Sequence, residues 1–288
     1  MTSGEEFAMP FIRRNELPPK PRRTALTEMR GPYYSAIGPR MLRDVCETMG
    51  AFVDSLKYAG GSFVLMRPDV VRELNEIAHE HGLTVSTGGF VERVLARGGD
   101  TVRRYVEAAR ELGFDTVEIS TGFITIPGDD WLRLCDTVRE AGLKPKPEIG
   151  VQFGAGGSSR SDVLQSQATS DPDWAVDMAR RFVDAGVELI MIESEGVTEN
   201  VDAWRTDVPA AFANAVGLER LMFEAADPEV FRWYIQTYGP EVNLFVDHSQ
   251  VVELAATRTG IWGPHHLWGR VQTYKGDRAA NGPVGGTR

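Results

Sequence analysis

The chain is poor in cysteine, in positive charge and in long apolar runs, and each shortage excludes something. Only two cysteines, Cys46 and Cys135, occur in 288 residues, and they fall in separate helical patterns. Reduced, buried thiols are expected, and with them a cytoplasmic setting. Lysine and arginine number 31 against 41 acids, a formal net charge of −10. Nucleic acid and anionic membranes both select basic surfaces, so neither is an expected partner. A small anionic substrate stays open, because a metal ion or a few local cations can reverse the potential inside a cleft. No stretch approaches the ~18 consecutive apolar residues of a membrane span. The opening "MTSGEEFAMPFIRRNELPPKPRR" has neither the apolar core nor the small-residue cleavage pattern of a secretory signal.

What is present is a rhythm. Seven helical patterns each end in glycine, at Gly50, Gly82, Gly113, Gly142, Gly186, Gly217 and Gly239, and an apolar segment follows each almost at once. Glycine tolerates the left-handed conformation that commonly closes a helix. With "RTALTEM" near the start, eight strands are expected near 24–29, 52–57, 83–87, 114–120, 143–150, 187–193, 219–224 and 242–247. Helical patterns lie between them, as in "PDVVRELNEIAHEHG", where Val71, Leu74, Ile77 and Ala78 keep helical spacing. Strands alternating with helices make a parallel sheet, and eight units in about 250 residues is the size of an α/β (β/α)8 TIM barrel. A doubly wound sheet is second choice, because "TEMRGPYY" is not the Gly-rich turn such a fold shows after its first strand. The organisation expected is a tail or arm over 1–22, one barrel with a C-terminal extension over 23–272, and a disordered tail over 273–288. The Gly- and Ser-rich stretch "VQFGAGGSSRSDVLQSQATSD" after strand five is expected to be a lid or anion-binding loop.

Barrel active sites form where strands run into helices. The expected strand ends are acidic: Glu118, Glu148, Glu193, Glu224 and Asp247, with Lys57 and Lys146 among them. A carboxylate in an apolar strand is costly unless it is paired or bound to a cation. Alternation puts Ser55 with Lys57, Thr116 with Glu118 and Ser120, Lys144 with Lys146 and Glu148, and Asn243 with Phe245 and Asp247. These polar faces are expected to point into the mouth. Such a set suits a hard divalent cation or proton transfer beside a lysine. Glu193, Glu224 and Asp247 are the expected metal ligands; Lys57, Glu118 and Glu148 are the expected catalytic groups. Gly60, Gly61, Gly88 and Gly89, with Lys146 and Arg160, are the expected substrate-binding set, because backbone N–H groups in glycine turns cradle anions. Arg205 in "WRTDV" is a further candidate clamp, though a surface arginine is the commoner role. Asp247 and His248 have opposite strand parity, so His248 is expected at the rim.

Taken in order, "ALTEM", "VDSLKYAGGS", "STGGF", "LGFDTVEIS", "KPEIG", "AGVELIMIES", "LMFEA" and "YGPEVNL" resemble the phosphosulfolactate synthase family, from Arg22 to Gln272. The resemblance implies a (β/α)8 fold and Mg²⁺-dependent addition of sulfite to phosphoenolpyruvate through an enolate-type intermediate. "RGPYY", "GFITIP", "IESEGVTENV", "FEAADPEVF" and "VNLFVDHSQ" are closer to the subgroup with plant heat-stress-associated proteins. Two positions depart from the archaeal synthases. Val151-Gln152 stand where those carry lysines, and Glu195 stands where they carry an arginine. Both changes remove positive charge where phosphate and sulfite would sit. The leading expectation is a synthase-like lyase using sulfite or another nucleophile, as a homo-oligomer. The alternative is a non-catalytic, stress-related barrel acting as partner or scaffold.

Overall fold

In the computed structural model, which describes residues 7–152 and 172–274, eight parallel strands close into a barrel in the order β1-β2-β3-β4-β5-β6-β7-β8, with β1 paired to β8. They are β1 Thr27–Arg30, β2 Ser55–Lys57, β3 Thr84–Ser86, β4 Thr116–Ser120, β5 Lys144–Ile149, β6 Ile190–Ile192, β7 Leu221–Glu224 and β8 Leu244–Asp247. The ring outside is built from α1 Pro39–Met49, α2 Pro68–Glu80, α3 Val91–Leu95, α4 Thr101–Glu111, α5 Gly128–Glu140, α6 Asp173–Asp184, α7 Asp207–Val216, α8 Pro228–Tyr238 and α9 Val251–Thr259.

The reason for this closure lies in the two faces of each strand. One face, carrying residues such as Val117, Ile119, Ile190 and Val246, is fully buried against apolar helix faces such as Val71, Leu74, Ile77 and Ala78 of α2. The other face points inward. A small separate cluster of Met191, Met222 and Phe245, backed by Leu26 and Leu189, occupies part of the interior. Polar side chains hold the rest.

The strands begin later than expected, by three residues in β1, β2 and β6 and by one or two in the others. β1 begins three residues late and runs on to Arg30, because Arg30 pairs in register with Lys57 on one side and Asp247 on the other. β2 is shortened because Gly50–Phe52 forms a 3-10 turn; Gly50 stays right-handed there (φ −56), unlike Gly82, Gly113, Gly142, Gly186, Gly217 and Gly239.

The segments outside the strand–helix units pack on the barrel. Asn15 donates to the carbonyls of Arg258 (3.0 Å) and Val271 (2.8 Å) and accepts from the Thr273 N–H (3.2 Å), tying both ends together. No helix among the described residues is long and apolar enough to cross a membrane. The stretch after β5 with Arg160, and the tail from 275 onward, lie outside the described residues.

Candidate active site

Strand parity delivers the chemistry to one end of the barrel. Lys57 closes β2, Glu118 and Ser120 sit on β4, Glu148 on β5 and Glu224 at the end of β7, while Glu193 follows β6 directly. All line one cleft of about 200 Å³, together with Arg30 and Phe245.

An ion-pair chain runs through the interior. Lys57 Nζ lies 2.7 Å from Glu118 Oε1 and 3.1 Å from Glu148 Oε2, and 4.2 Å from the centre of the Phe245 ring. The other Glu118 oxygen meets Lys146 Nζ at 3.1 Å, and Lys146 reaches across the barrel to Glu28 Oε2 at 2.5 Å. Glu28 in turn accepts from the Ser55 hydroxyl (3.1 Å). Beside this chain, one oxygen from each of Glu148, Glu193 and Glu224 lies within 4.8 Å of the others. Glu193 is fixed by the N–H groups of Ser194 (2.8 Å) and Glu195 (3.1 Å). Glu224 pairs with Arg30, whose guanidinium carbon lies 4.8 Å from the Phe245 ring centre and 5.0 Å from that of Tyr34.

Burial sets these groups against one another. Burial alone would lower the Lys57 ammonium, but Glu118, then Glu148, Glu224 and Glu28, push it well above its ordinary value. Burial likewise opposes ionisation of Glu118, and Lys57 and Lys146 overcome it, drawing that carboxyl down to about 2. Glu148 goes the other way. Burial, then the charge on Glu118, raises it to about 8. Glu193 is also raised well above the usual range, by burial and by Glu224 and Glu148. Two neighbouring carboxyls that resist ionisation need either a shared proton or a cation between them. The donor set is all carboxylate oxygen, which fits a hard divalent ion rather than a soft one. Glu148, Glu193 and Glu224 would hold it.

Of the expected site residues, the fold gathers Lys57, Glu118, Glu148, Glu193 and Glu224, with Gly60 and Gly89 in the wall. A Cβ on Gly89 would sit 2.6 Å from Ser120 Oγ, so only glycine lets this loop approach β4. Gly61 and Gly88 do not line the cleft. Both hold positive φ and serve packing: a Cβ there would strike the Phe90 ring and the Tyr58 carbonyl. Lys146, expected to bind substrate, instead lies buried in the interior, its charge taken up by Glu28 and Glu118. Arg205, the further clamp candidate, sits in a surface pair with Asp207 (2.6 Å).

Asp247, expected as a metal ligand, is a helix cap. The chain turns at once from β8 into the 3-10 turn His248–Gln250, and the Asp247 carboxylate folds back over it. Its Oδ1 accepts from the Ser249 N–H (3.0 Å) and hydroxyl (2.7 Å), while Gln250 Oε1 accepts from the Asp247 N–H (3.2 Å). His248 Nδ1 lies 3.3 Å from the same Oδ1, so the two side chains do meet, against the parity argument, which no longer applies past the strand's end.

Arg30, Glu28 and Glu92 were not singled out from the sequence. For the first two the signal was present: "TEMR" alternates, so Glu28 and Arg30 share a face. Glu92 comes from α3, and its carboxylate receives the Ser120 hydroxyl (2.6 Å) and the N–H groups of Gly122 (3.2 Å) and Phe123 (2.6 Å). No strand rule points to it.

Residues 15–264 match the model of a family described as (2R)-phospho-3-sulfolactate synthase (ComA). The chain is 37% identical over 266 residues to HEAT-STRESS-ASSOCIATED 32 of Arabidopsis thaliana, covering 89% of this chain and 93% of that protein. It is 26% identical over 251 residues to the phosphosulfolactate synthase of Methanothermobacter thermautotrophicus, covering 85% and 92%. Among solved structures, the carboxyl transferase domain of Rhizobium etli pyruvate carboxylase with pyruvate and biocytin aligns at TM-score 0.53 and 14% identity, over 80% of this chain but 40% of that one. That likeness is one of barrel fold alone.

Proposed function

The chain belongs to the (2R)-phospho-3-sulfolactate synthase (ComA) family, and from that premise we propose that it is a Mg²⁺-dependent, synthase-like lyase. It would join sulfite, or another nucleophile, to phosphoenolpyruvate or a similar enol acid. The observation that carries this reading is the placement of protonated Lys57 between Glu118 and Glu148, directly beside the Glu148–Glu193–Glu224 cluster. The cleft, about 200 Å³, is smaller than the roughly 300–1,000 Å³ of drug-sized pockets and suits a short acid.

In this reading the nucleophile bonds to the methylene carbon and the double-bond pair moves onto the adjacent carbon and the carboxylate. A proton then reaches that carbon and the addition is complete. Glu148, Glu193 and Glu224 would hold a divalent cation, which would supply charge neutralisation for the substrate carboxylate. Lys57 places a fixed positive charge beside the developing enolate and costs no reorganisation, because Glu118 already holds it in place. Glu148, raised to about 8 in the metal-free cleft, holds there the proton that a bound cation would replace.

The test is ligand-dependent thermal stability. Mn²⁺ or Mg²⁺ should raise the melting temperature, and phosphoenolpyruvate should raise it further only when metal is present. Ligand at about 100 times its dissociation constant stabilises by about 2.7 kcal/mol. Glu193→Gln should weaken metal binding by about tenfold or more. No shift with any of these ligands at saturation would overturn the reading and favour the non-catalytic barrel.

A further inference from the structure

Among the described residues the cleft wall has seven carboxylates, Glu92, Glu118, Glu148, Glu193, Glu195, Glu199 and Glu224, against two cations, Arg30 and Lys57. An anionic substrate entering it needs one cation with donors to spare. Lys57 spends two of its three donors on Glu118 and Glu148, and those two carboxyls already answer its charge. Arg30 is different. Its Nη2 pairs with Glu224, but its Nε is buried and has no hydrogen-bond partner among the described residues, although the residue is only 7% exposed and lines the cleft. A buried, unpaired donor on a charged group is costly and marks a missing acceptor. The guanidinium is also held in place, with the rings of Phe245 and Tyr34 about it, and a fixed planar fork suits carboxylate or phosphate.

Glu224 links this fork to the acid cluster, because it belongs to both. We propose that Arg30 receives the carboxylate or phosphate of the substrate, and that a divalent cation on Glu148, Glu193 and Glu224 primes it by drawing the charge of Glu224 away from the guanidinium. The inference rests on the metal-dependent reading above. It adds an order: cation first, anion second. Binding linkage is reciprocal, so the bound anion must also tighten the cation. No catalytic step is assigned to Arg30.

The experiment is calorimetric titration of the full chain with phosphoenolpyruvate, oxalate and inorganic phosphate, each with and without Mn²⁺. Wild-type protein should bind an anion at least about tenfold more tightly with Mn²⁺ present, a typical coupling for linked sites. Arg30→Gln should lose about tenfold or more of that anion affinity, as expected for a lost charge-assisted fork, while Mn²⁺ still binds and no less tightly, because Glu224 is released from the guanidinium. Oxalate and phosphate separate the two sources of negative charge: the probe that loses affinity names the group that sits on Arg30. Arg30→Lys, which retains the charge, guards against misfolding of the glutamine variant and should show an intermediate loss. A double-mutant cycle isolates the priming step. Glu224→Gln should strengthen anion binding in metal-free protein, and that gain should vanish in the Arg30→Gln background.

Equal anion affinity in wild type and Arg30→Gln overturns the proposal, as does the absence of any anion binding by wild type with Mn²⁺. A Glu224→Gln gain that persists without Arg30 overturns the priming. Arg30-dependent binding of oxalate or phosphate, without any binding of phosphoenolpyruvate, would keep this inference and remove the phosphoenolpyruvate reading.

Discussion

Glu148 is where pH should act on the mouth. Its carboxyl is raised to about 8 by burial and by Glu118, against about 4.3 in an unfolded chain. Between those values the folded protein holds a proton that the unfolded chain has released. Stability from this group is therefore complete below about pH 4 and is lost as pH rises towards 8, with a slope near 1.4 kcal/mol per unit for one proton. Metal-free protein should lose stability between pH 5 and pH 8 in denaturant titrations, and Glu148→Gln should flatten that slope. Mn²⁺ should restore stability most at the upper end, since the cation replaces the proton. Lys57 makes a complementary case. Lys57→Met leaves Glu118 and Glu148 beside one another without their shared cation, and breaking a buried pair in this way costs about 3–5 kcal/mol. At this scale the sequence was informative about residue type and poor about depth. Alternation placed Lys57 and Lys146 on inward faces alike. Which of them reaches the cleft depends on pairing across the barrel, Lys146 with Glu28 over 118 positions of sequence, and no local pattern carries that.

Elements were legible where a single residue type enforces their ends. Glycines at positive φ close six of the expected helices, and the strands follow them. Strand starts were set too early, and a site residue was misplaced where a strand hands over to a helix, because there the backbone's needs compete with the site's. Asp247 is the sharp case. As a strand-end acid it matched Glu224, yet the turn His248–Gln250 follows with no spacer and its N–H groups take the carboxylate. A cap of this kind contributes about 0.5–2 kcal/mol. Asp247→Ala should thus lower stability by that amount in chemical denaturation and leave Mn²⁺ affinity unchanged, whereas Glu224→Gln should weaken Mn²⁺. Loss of metal affinity in Asp247→Ala would return that residue to the cation site.

The whole molecule depends on a closure far from the mouth. Arg258, in α9, is 1% exposed and reaches under the first and last strands. Its guanidinium donates to the carbonyls of Ala25 (2.5 Å), Leu26 (3.1 Å) and Val242 (2.7 Å) and to the Thr27 hydroxyl (2.8 Å). The segments it joins lead into β1 and β8, which must meet for the barrel to close. Burial draws this guanidinium down to about 9, with Asp54 opposing, so its hydrogen bonds hold a charge in an environment that resists it. Nothing local in "VVELAATRTG" marks this arginine, because three of its four acceptors, two carbonyls and a hydroxyl, lie more than 200 positions away. Eightfold rhythm thus announced the barrel, while the clamp that completes it was hidden. Arg258→Met should strip these acceptors at about 1–3 kcal/mol each, a loss of several kcal/mol in unfolding free energy. The protein that remains folded should bind Mn²⁺ as wild type does, because Arg258 acts at the strand starts and the glutamates lie at the strand ends. A metal affinity that falls in step with stability would mean that closure of the barrel and geometry of the mouth are one cooperative unit, and that the cation site is assembled only as β8 docks on β1.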